Sequence, residues 1–423
     1  MFGPAFSAGL VFPHDRVPLQ SENPVEVLTE EAALTPSPGE ELRVEALVGE
    51  DELVAQGQPL LRLRNAPQIA LVAPMAGRIA SLDLKSGRRL SQLLLFHEPD
   101  GGRHLFETGN AEVDGNALRA LLQSSGLWRM FRSRPFGRMP HADEAPAAIF
   151  VMAVDSRPGA PAPSLALKGR EEDFSRGLAA LSQLTKDRLF LCEPAGKHFG
   201  GAVPAGLSRI SCGRNNPQGL AGIQIHRHRP AAPEIRVWDI EAEDVADLGA
   251  LLATGLLPGT RLVSVTGSAL RERRLVRCQH GADLRGLSQP VVRPGAHEIL
   301  SGSALDGRLA HWLGARDRQV TVSPRETGAV KHHWFGTALR KAARHLPVIP
   351  TAALDQAVGG DMPAAALLRA IASGDEETAV RLGALSLVEE DLALADYATG
   401  ARPRLSKQLR IILNRIEAEE APA

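Results

Sequence analysis

Sulfur is scarce in this chain. Its three cysteines, Cys192, Cys212 and Cys278, lie far apart in 423 residues. They supply neither the paired spacing of a metal site nor a disulfide framework, and a reducing cytoplasmic setting fits. An excess of charge of either sign is missing too, because 48 basic residues stand against 49 acidic ones. That balance gives no electrostatic case for nucleic acid, which favours a basic face, and clusters such as Arg271 to Arg277 read as solvated or partner-facing surface. No apolar run approaches the roughly 20 residues that cross a bilayer, and no basic stretch followed by an apolar core opens the sequence. Any membrane link is therefore expected through a partner. Aromatics are few, at 12 Phe, 4 Trp and 1 Tyr, which makes a local concentration of them informative.

What the chain does have is length and modular patterning. At roughly 150 residues per domain it holds about three domains with adequate cores. Residues 1–24, with Pro4, Pro13, Pro18 and Pro24, read as an irregular arm. Residues 25–100 form the first module. From Val48 to Leu61, Val or Leu alternate and Gly falls at tight turns, which predicts a half-buried hairpin; Ala73 to Ile79 follows, with a further turn at Lys85 to Gly87. This is the pattern of a biotinyl/lipoyl-like barrel, but the tip carries Arg64 and Asn65 where a swinging-arm carrier needs a modifiable lysine. A scaffold or docking surface is expected rather than a carrier. From 101 to 256 helix and strand signals alternate as in an α/β domain. Predicted there are a helix over 118–127, buried strands at 147–154 and 188–192, a helix over 171–184 and an acidic helix opening at 239–244. Residues 257–330 are richer in short strands, and 331–423 are mostly helical. The expected fold class is α/β multidomain.

The order of blocks resembles the A subunit of the Na+-translocating NADH:quinone oxidoreductase (Na+-NQR) and, more distantly, the C subunit of the Rnf complex. The resemblance is carried by Gly126 to Phe136, Ala145 to Asp155, Asp173 to Thr185, Val265 to Arg277, Ile299 to Leu305 with Leu313 and Gly314, Leu367 to Asp375 and Glu389 to Leu394, collinear over roughly residues 30 to 415. It implies a peripheral subunit on the cytoplasmic side of the bacterial inner membrane, in a complex that passes electrons from NADH through flavins and iron–sulfur centres to ubiquinone and drives Na+ outward. The five other subunits of that complex, B to F, would be its partners, and ubiquinone the substrate it contributes to binding and reducing. In fold it implies a Rossmann-like domain over 101–256, a β-grasp-like ligand-binding domain over 257–330 and a C-terminal helical domain over 331–423. The other class of function open to the chain is a non-redox structural or assembly protein that keeps the family fold.

Each implied chemistry has residue requirements. An iron–sulfur domain needs four thiolates, yet no cysteine occurs from His345 onward, where relatives tend to carry cysteines at positions matching Ala384, Ala395 and Thr399. A Rossmann phosphate turn needs G-x-G-x-x-G after a strand, and Glu193 to Gly201 has glycines and Lys197 without that spacing. No tightly bound cofactor is expected, so the NADH, flavin and iron–sulfur sites fall to partner subunits, and no catalytic or metal centre is predicted. A quinone site needs apolar walls and one or two donors. Trp128, Phe131 and Phe136 with Arg132, Arg134 and Arg138 bring those types together and are the candidate quinone-binding residues. The same aromatics could instead staple a loop to the core while the arginines face solvent or another protein of the complex. His226 and His228, read on an extended segment, would share a face as a metal pair does, but no third ligand can be named. The stretch from Asn216 to His226 also lacks two of the three histidines of its relatives. His332 and His333 read as a loop.

Overall fold

Short strands separated by tight turns build the first third of the protein, in a computed structural model that describes residues 9–10, 17–185, 188–201, 204, 206–325 and 348–420. β1 (Val25–Glu26) leaves at once to join a sheet formed 250 residues later. β2 (Glu31–Leu34), β3 (Val44–Ala46), β4 (Leu53–Val54), β5 (Pro59–Leu63), β6 (Ala70–Val72), β7 (Gly77–Lys85) and β8 (Arg89–His97) form two small antiparallel sheets, ordered β2-β8-β7-β4 and β3-β5-β6. In β8 the buried positions are Leu90, Leu93 and Leu95, and the break in strict alternation coincides with register shifts against β7. The stretch from Val48 to Leu61 is not a hairpin paired with itself. β4 pairs with β7, and β5 pairs with β3 and β6, so each half of the predicted hairpin serves a different sheet.

α1 (Gly115–Ser124) is capped by the Asp114 carboxylate, which accepts from Asn116 N. β9 (Arg132–Arg134) and β10 (Ala148–Met152) follow, then α2 (Pro163–Ala166), α3 (Glu171–Leu181), β11 (Leu189–Pro194), β12 (Leu207–Cys212), α4 (Ala221–His228), β13 (Val237–Glu241) and α5 (Ala242–Thr254). The sheet runs β12-β11-β10-β13-β9, parallel except for β9. β10 is buried at every position, as a strand covered on both faces must be. Asp239 and Glu241 lie in β13, so the acidic run at 239–244 opens a helix only from Ala242. The strand wins because its apolar residues fill a central slot, while Asp239 is neutralised by arginines. α3 and α5 lie unusually close. An added Cβ on Gly177 would sit 2.0 Å from the Val245 carbonyl oxygen, and one on Gly249 1.8 Å from that of Asp173.

A six-stranded mixed sheet, β1-β15-β14-β18-β16-β17, contains β14 (Arg261–Thr266), β15 (Arg274–Cys278), β16 (His297–Ser301), β17 (Arg308–Leu309) and β18 (Gln319–Pro324), with α6 (Leu284–Ser288) between β15 and β16. The chain closes with α7 (Ala352–Ala357), α8 (Ala364–Ser373), α9 (Glu376–Arg381), α10 (Ala393–Thr399) and α11 (Leu405–Glu420). Their core is aliphatic: Leu367, Leu368, Ile371, Leu387, Leu409 and Leu413 are fully buried. A second, larger core runs without a break from Leu60 and Leu93 in the small sheets to Leu178 and Leu248 in the α/β layer.

Candidate functional site

The segment singled out in the sequence, residues 126–138, starts at Gly126 with φ +78, a left-handed turn where a Cβ would press on Val72 at 3.0 Å. One 3-10 turn, Leu127–Met130, then splits the side chains into two sets. Trp128 and Phe131 point to the core and meet Trp238, with ring centroids 5.2 Å and 5.4 Å away and the Trp128 Nε1 donating to Pro140 O at 2.9 Å. Both are completely buried. Register in β9 places Arg132 opposite Asp239. Arg132 pairs with Asp239 at 3.1 Å and Glu390 at 2.6 Å; Arg134 pairs with Asp239 at 3.2 Å and Asp391 at 2.9 Å. Burial alone would raise the Asp239 carboxyl, but Arg132, Arg134 and Arg316 outweigh it and bring it down to about 2. Phe136 joins the core of the C-terminal helices beneath the Arg236 guanidinium, and Arg138 bonds Glu417, Asn414 and Gly39 O. All six candidate side chains are thus engaged within the protein, and Arg132, Arg134, Phe136 and Arg138 tie the α/β layer to the C-terminal helices.

The other set from the same turn faces a cavity. Leu127, Arg129 and Met130 line it together with Leu71 and Val72 of the small sheets, Leu257 beyond α5, and Leu313. Its volume is about 80 Å³ and it is partly open. None of the six candidates lines it. Its polar groups are few: Thr35, Gln56, Ser125, Arg129, Asp247 and His280. Arg129 is only 7 % exposed; its Nη2 donates to Thr35 O at 2.5 Å and to Glu40 at 3.2 Å, while its Nε–H has no partner. A buried donor left unmatched costs about 1–3 kcal/mol; the Nε–H groups of Arg229, Arg261, Arg273, Arg274 and Arg318 are unmatched in the same way.

His280 reaches the cavity because Gly281, at φ +65, lets the loop close on β2. The Gly281 carbonyl accepts from Ala33 N at 2.9 Å, and a Cβ there would stand 2.1 Å from Ala33 O. Burial, then repulsion from Arg261, Arg318 and Arg129, holds the half-buried imidazole well below the usual histidine range against the pull of Asp244. The ring is neutral at pH 7, with one N–H donor and one acceptor nitrogen. Asp247 sits one turn along α5 from Glu243 and Asp244 and pairs with Arg170 at 2.8 Å. Burial, with Glu243 and Asp244 adding to it and Arg170 opposing, pushes its carboxyl up to about 7. Behind it Arg318 pairs with Glu243 and, at 2.7 Å, with Asp244, while Arg261 pairs with Asp244 at 3.1 Å.

Comparison with known proteins bears on what such a site serves. Residues 113–257 match the family described as "NqrA second alpha/beta domain", and residues 262–311 match the "NQRA C-terminal domain". The A subunit of the Na(+)-translocating NADH-quinone reductase of Histophilus somni (strain 2336) is 31% identical over 408 residues, covering 89% of this chain and 91% of that protein. Its namesake in Pasteurella multocida (strain Pm70) is 31% identical over 444 residues, covering 97% and 98%. The chain belongs to the NqrA family, the A subunits of Na(+)-translocating NADH-quinone reductases. NqrA proteins are components of an oxidoreductase complex. Among solved structures, an NAD+-reducing [NiFe]-hydrogenase in its H2-reduced state covers 72% of the chain and 64% of its own at 12% identity and a TM-score of 0.39. Among the described residues no helix is long and apolar enough to cross a membrane.

Other positions picked out in the sequence fall differently within this NqrA fold. His226 and His228 lie on α4, not on an extended segment. Two residues apart on a helix they diverge by about 200°, so they do not share a face. The loop after β11 wraps the buried Glu193 carboxylate, which accepts from Phe199 N at 2.6 Å and pairs with Arg209 at 2.6 Å. At the C-terminal ends of β10 and β13, where open α/β sheets take ligands, Asp155 and Arg157 pair at 2.6 Å beside Glu241 and Asp306. Ala384 and Ala395 are fully buried in the helical core, and Thr399 Oγ1 donates to Ala395 O at 2.7 Å. His332 and His333 lie outside the described residues. Arg129 belongs to the block that carries the family resemblance, yet it is one of three arginines there and nothing in its spacing sets it apart. Asp247 and His280 carry no local signal, being single titratable residues brought together only by folding.

Proposed function

We propose that this chain is a peripheral subunit of a Na+-pumping NADH:ubiquinone reductase complex, and that it holds the ubiquinone headgroup in the cavity between the small sheets, the 125–130 turn, α5 and the β15–α6 loop. The observation that carries this reading is a largely aliphatic cavity whose few polar side chains include the buried Arg129 guanidinium and the neutral His280 imidazole. A quinone offers carbonyl acceptors on a flat apolar ring, which is the complement of one buried cationic donor, one neutral imidazole and aliphatic walls. Quinone contact therefore comes from the 126–138 segment that stands out in the sequence, but from Leu127, Arg129 and Met130, with Trp128, Phe131, Arg132, Arg134, Phe136 and Arg138 holding that segment from behind. NADH, flavin and iron–sulfur chemistry, the Na+ route and the membrane contact fall to the B to F subunits, with this chain on the cytoplasmic side of the membrane.

Titrating the purified chain with a short-chain ubiquinone tests this. Arg129→Lys keeps the charge and loses the Nε donor, and is expected to weaken binding by about 10-fold or more, as a hydrogen bond to a charged group implies. Unchanged affinity in Arg129→Lys and His280→Ala alike would contradict the site. Failure of the wild-type chain to bind any quinone would leave the non-redox assembly role.

A further inference from the structure

We propose that the hollow between α10, the start of α11 and the β16–β17 loop docks an acidic segment, rich in Asp or Glu, of another subunit of the complex. The inference extends the subunit role proposed above by naming the chemistry of one partner contact, and it is independent of where quinone is held. The hollow has a volume of about 540 Å³, with Leu305 on one side and Tyr397, Arg402, Arg404 and Lys407 on the other. Between Gly400 and Ile416 the sequence has five basic residues and no acidic one, in a chain whose overall charge is balanced. Farther along α11 these charges are matched within the protein: Arg410 pairs with Glu389 at 2.6 Å and Arg415 with Glu376 at 2.9 Å. Arg402, Arg404 and Lys407 are exposed, and among the described residues their side chains have no ion pair or hydrogen bond. The one carboxylate lining the hollow, Asp396, is already committed, accepting from Leu405 N at 2.5 Å, from Ser406 N at 3.3 Å and from Ser406 Oγ.

The cations are also held still. Asp396 fastens the first turn of α11, Thr399 Oγ1 accepts from Ala401 N at 3.2 Å, and Pro403 fixes φ between the two arginines. Little loop entropy is therefore lost when a ligand arrives. Like charges on so short a stretch repel one another. Carboxylates placed among them remove that repulsion and accept the paired N–H bonds that a guanidinium offers. A hollow of this size is too wide for one small anion, and its concave shape keeps the three side chains from meeting a flat lipid surface together. Beside the charges, the exposed Tyr397 and the half-buried Leu305 give a polypeptide the aromatic and apolar ground that protein interfaces use.

The test uses the complex purified through this chain. A carbodiimide activates carboxylates and joins them to an amine in direct contact, forming an amide with loss of water, so peptide mass spectrometry then reads what Lys407 touches. Expected is an amide from Lys407 to an Asp or Glu of a partner subunit, absent when the complex carries Lys407→Arg. Acetylation of Lys407 by an amine-specific reagent is expected to be about 5-fold or more slower in the complex than in the isolated chain. Equal acetylation in the two states overturns the proposal, and so does protection without a cross-link to a partner carboxylate. Protection that appears only after reconstitution into phosphatidylglycerol vesicles assigns the hollow to lipid and likewise overturns it. If no other subunit copurifies, the subunit reading falls as well.

Discussion

Arg129, Asp247 and His280 are each held in a state that water would not favour: a guanidinium with an unmatched donor, a carboxyl whose proton affinity is raised and an imidazole whose affinity is lowered. The two titrating groups have opposite linkage to pH. The Asp247 carboxyl is raised from 3.8 to about 7, so its contribution to stability is fully present below about pH 4 and is lost as the pH rises through 7. His280 is depressed, so its neutral burial costs most at low pH and nothing above its unfolded value. Urea midpoints measured across this range should show Asp247→Asn gaining on wild type as pH rises from 4 to 7, and His280→Gln gaining as pH falls; parallel curves would refute both environments. The types of residue needed for a quinone site were legible around Gly126 to Phe136. Which side of the chain faces the cavity was not, because a single 3-10 turn decides it and leaves no periodic trace in four residues.

Elements were legible where burial repeats along the chain. The fully buried strand β10 and the amphipathic α3 are readable as such, because a run of apolar residues or a stripe at helical spacing has one good solution. Pairing was less so. β4 and β5 look like partners in sequence but belong to different sheets, and Asp239 looks like a helix opener until Arg132 and Arg134 arrive from β9. Glycine shows how contact reverses local preference. In a helix Gly→Ala ordinarily stabilises by about 1 kcal/mol, but a Cβ at Gly249 would meet the Asp173 carbonyl oxygen at 1.8 Å. Gly249→Ala is expected to destabilise by about 2–3 kcal/mol or more, as overpacking does, measured by urea unfolding. A neutral or stabilising result would mean α3 and α5 are not packed backbone to backbone. Because α5 also carries Asp247, the same variant should disturb the cavity.

At the scale of the whole molecule, the cavity belongs to no single layer. Its wall is drawn from residues 33–35, 56, 71–74, 125–130, 247, 257–258, 280–281 and 313–315, so it exists only when the small sheets, the α/β layer and the mixed sheet are docked together. Arg132 and Arg134 then fasten the C-terminal helices to the back of the segment that lines it. That division of labour explains why the aromatics and arginines of residues 126–138 stand out in the sequence while the cavity does not: they are the ones needed to hold the layers together, whereas a cavity wall is made of ordinary aliphatic residues. The most direct measurement is binding of a short-chain ubiquinone to the purified chain and to Val72→Phe, which places a ring in the cavity without altering Arg129, Asp247 or His280. Saturable binding by the wild type, weakened by about 10-fold or more in Val72→Phe, is predicted; equal binding by both would contradict a quinone held at this junction.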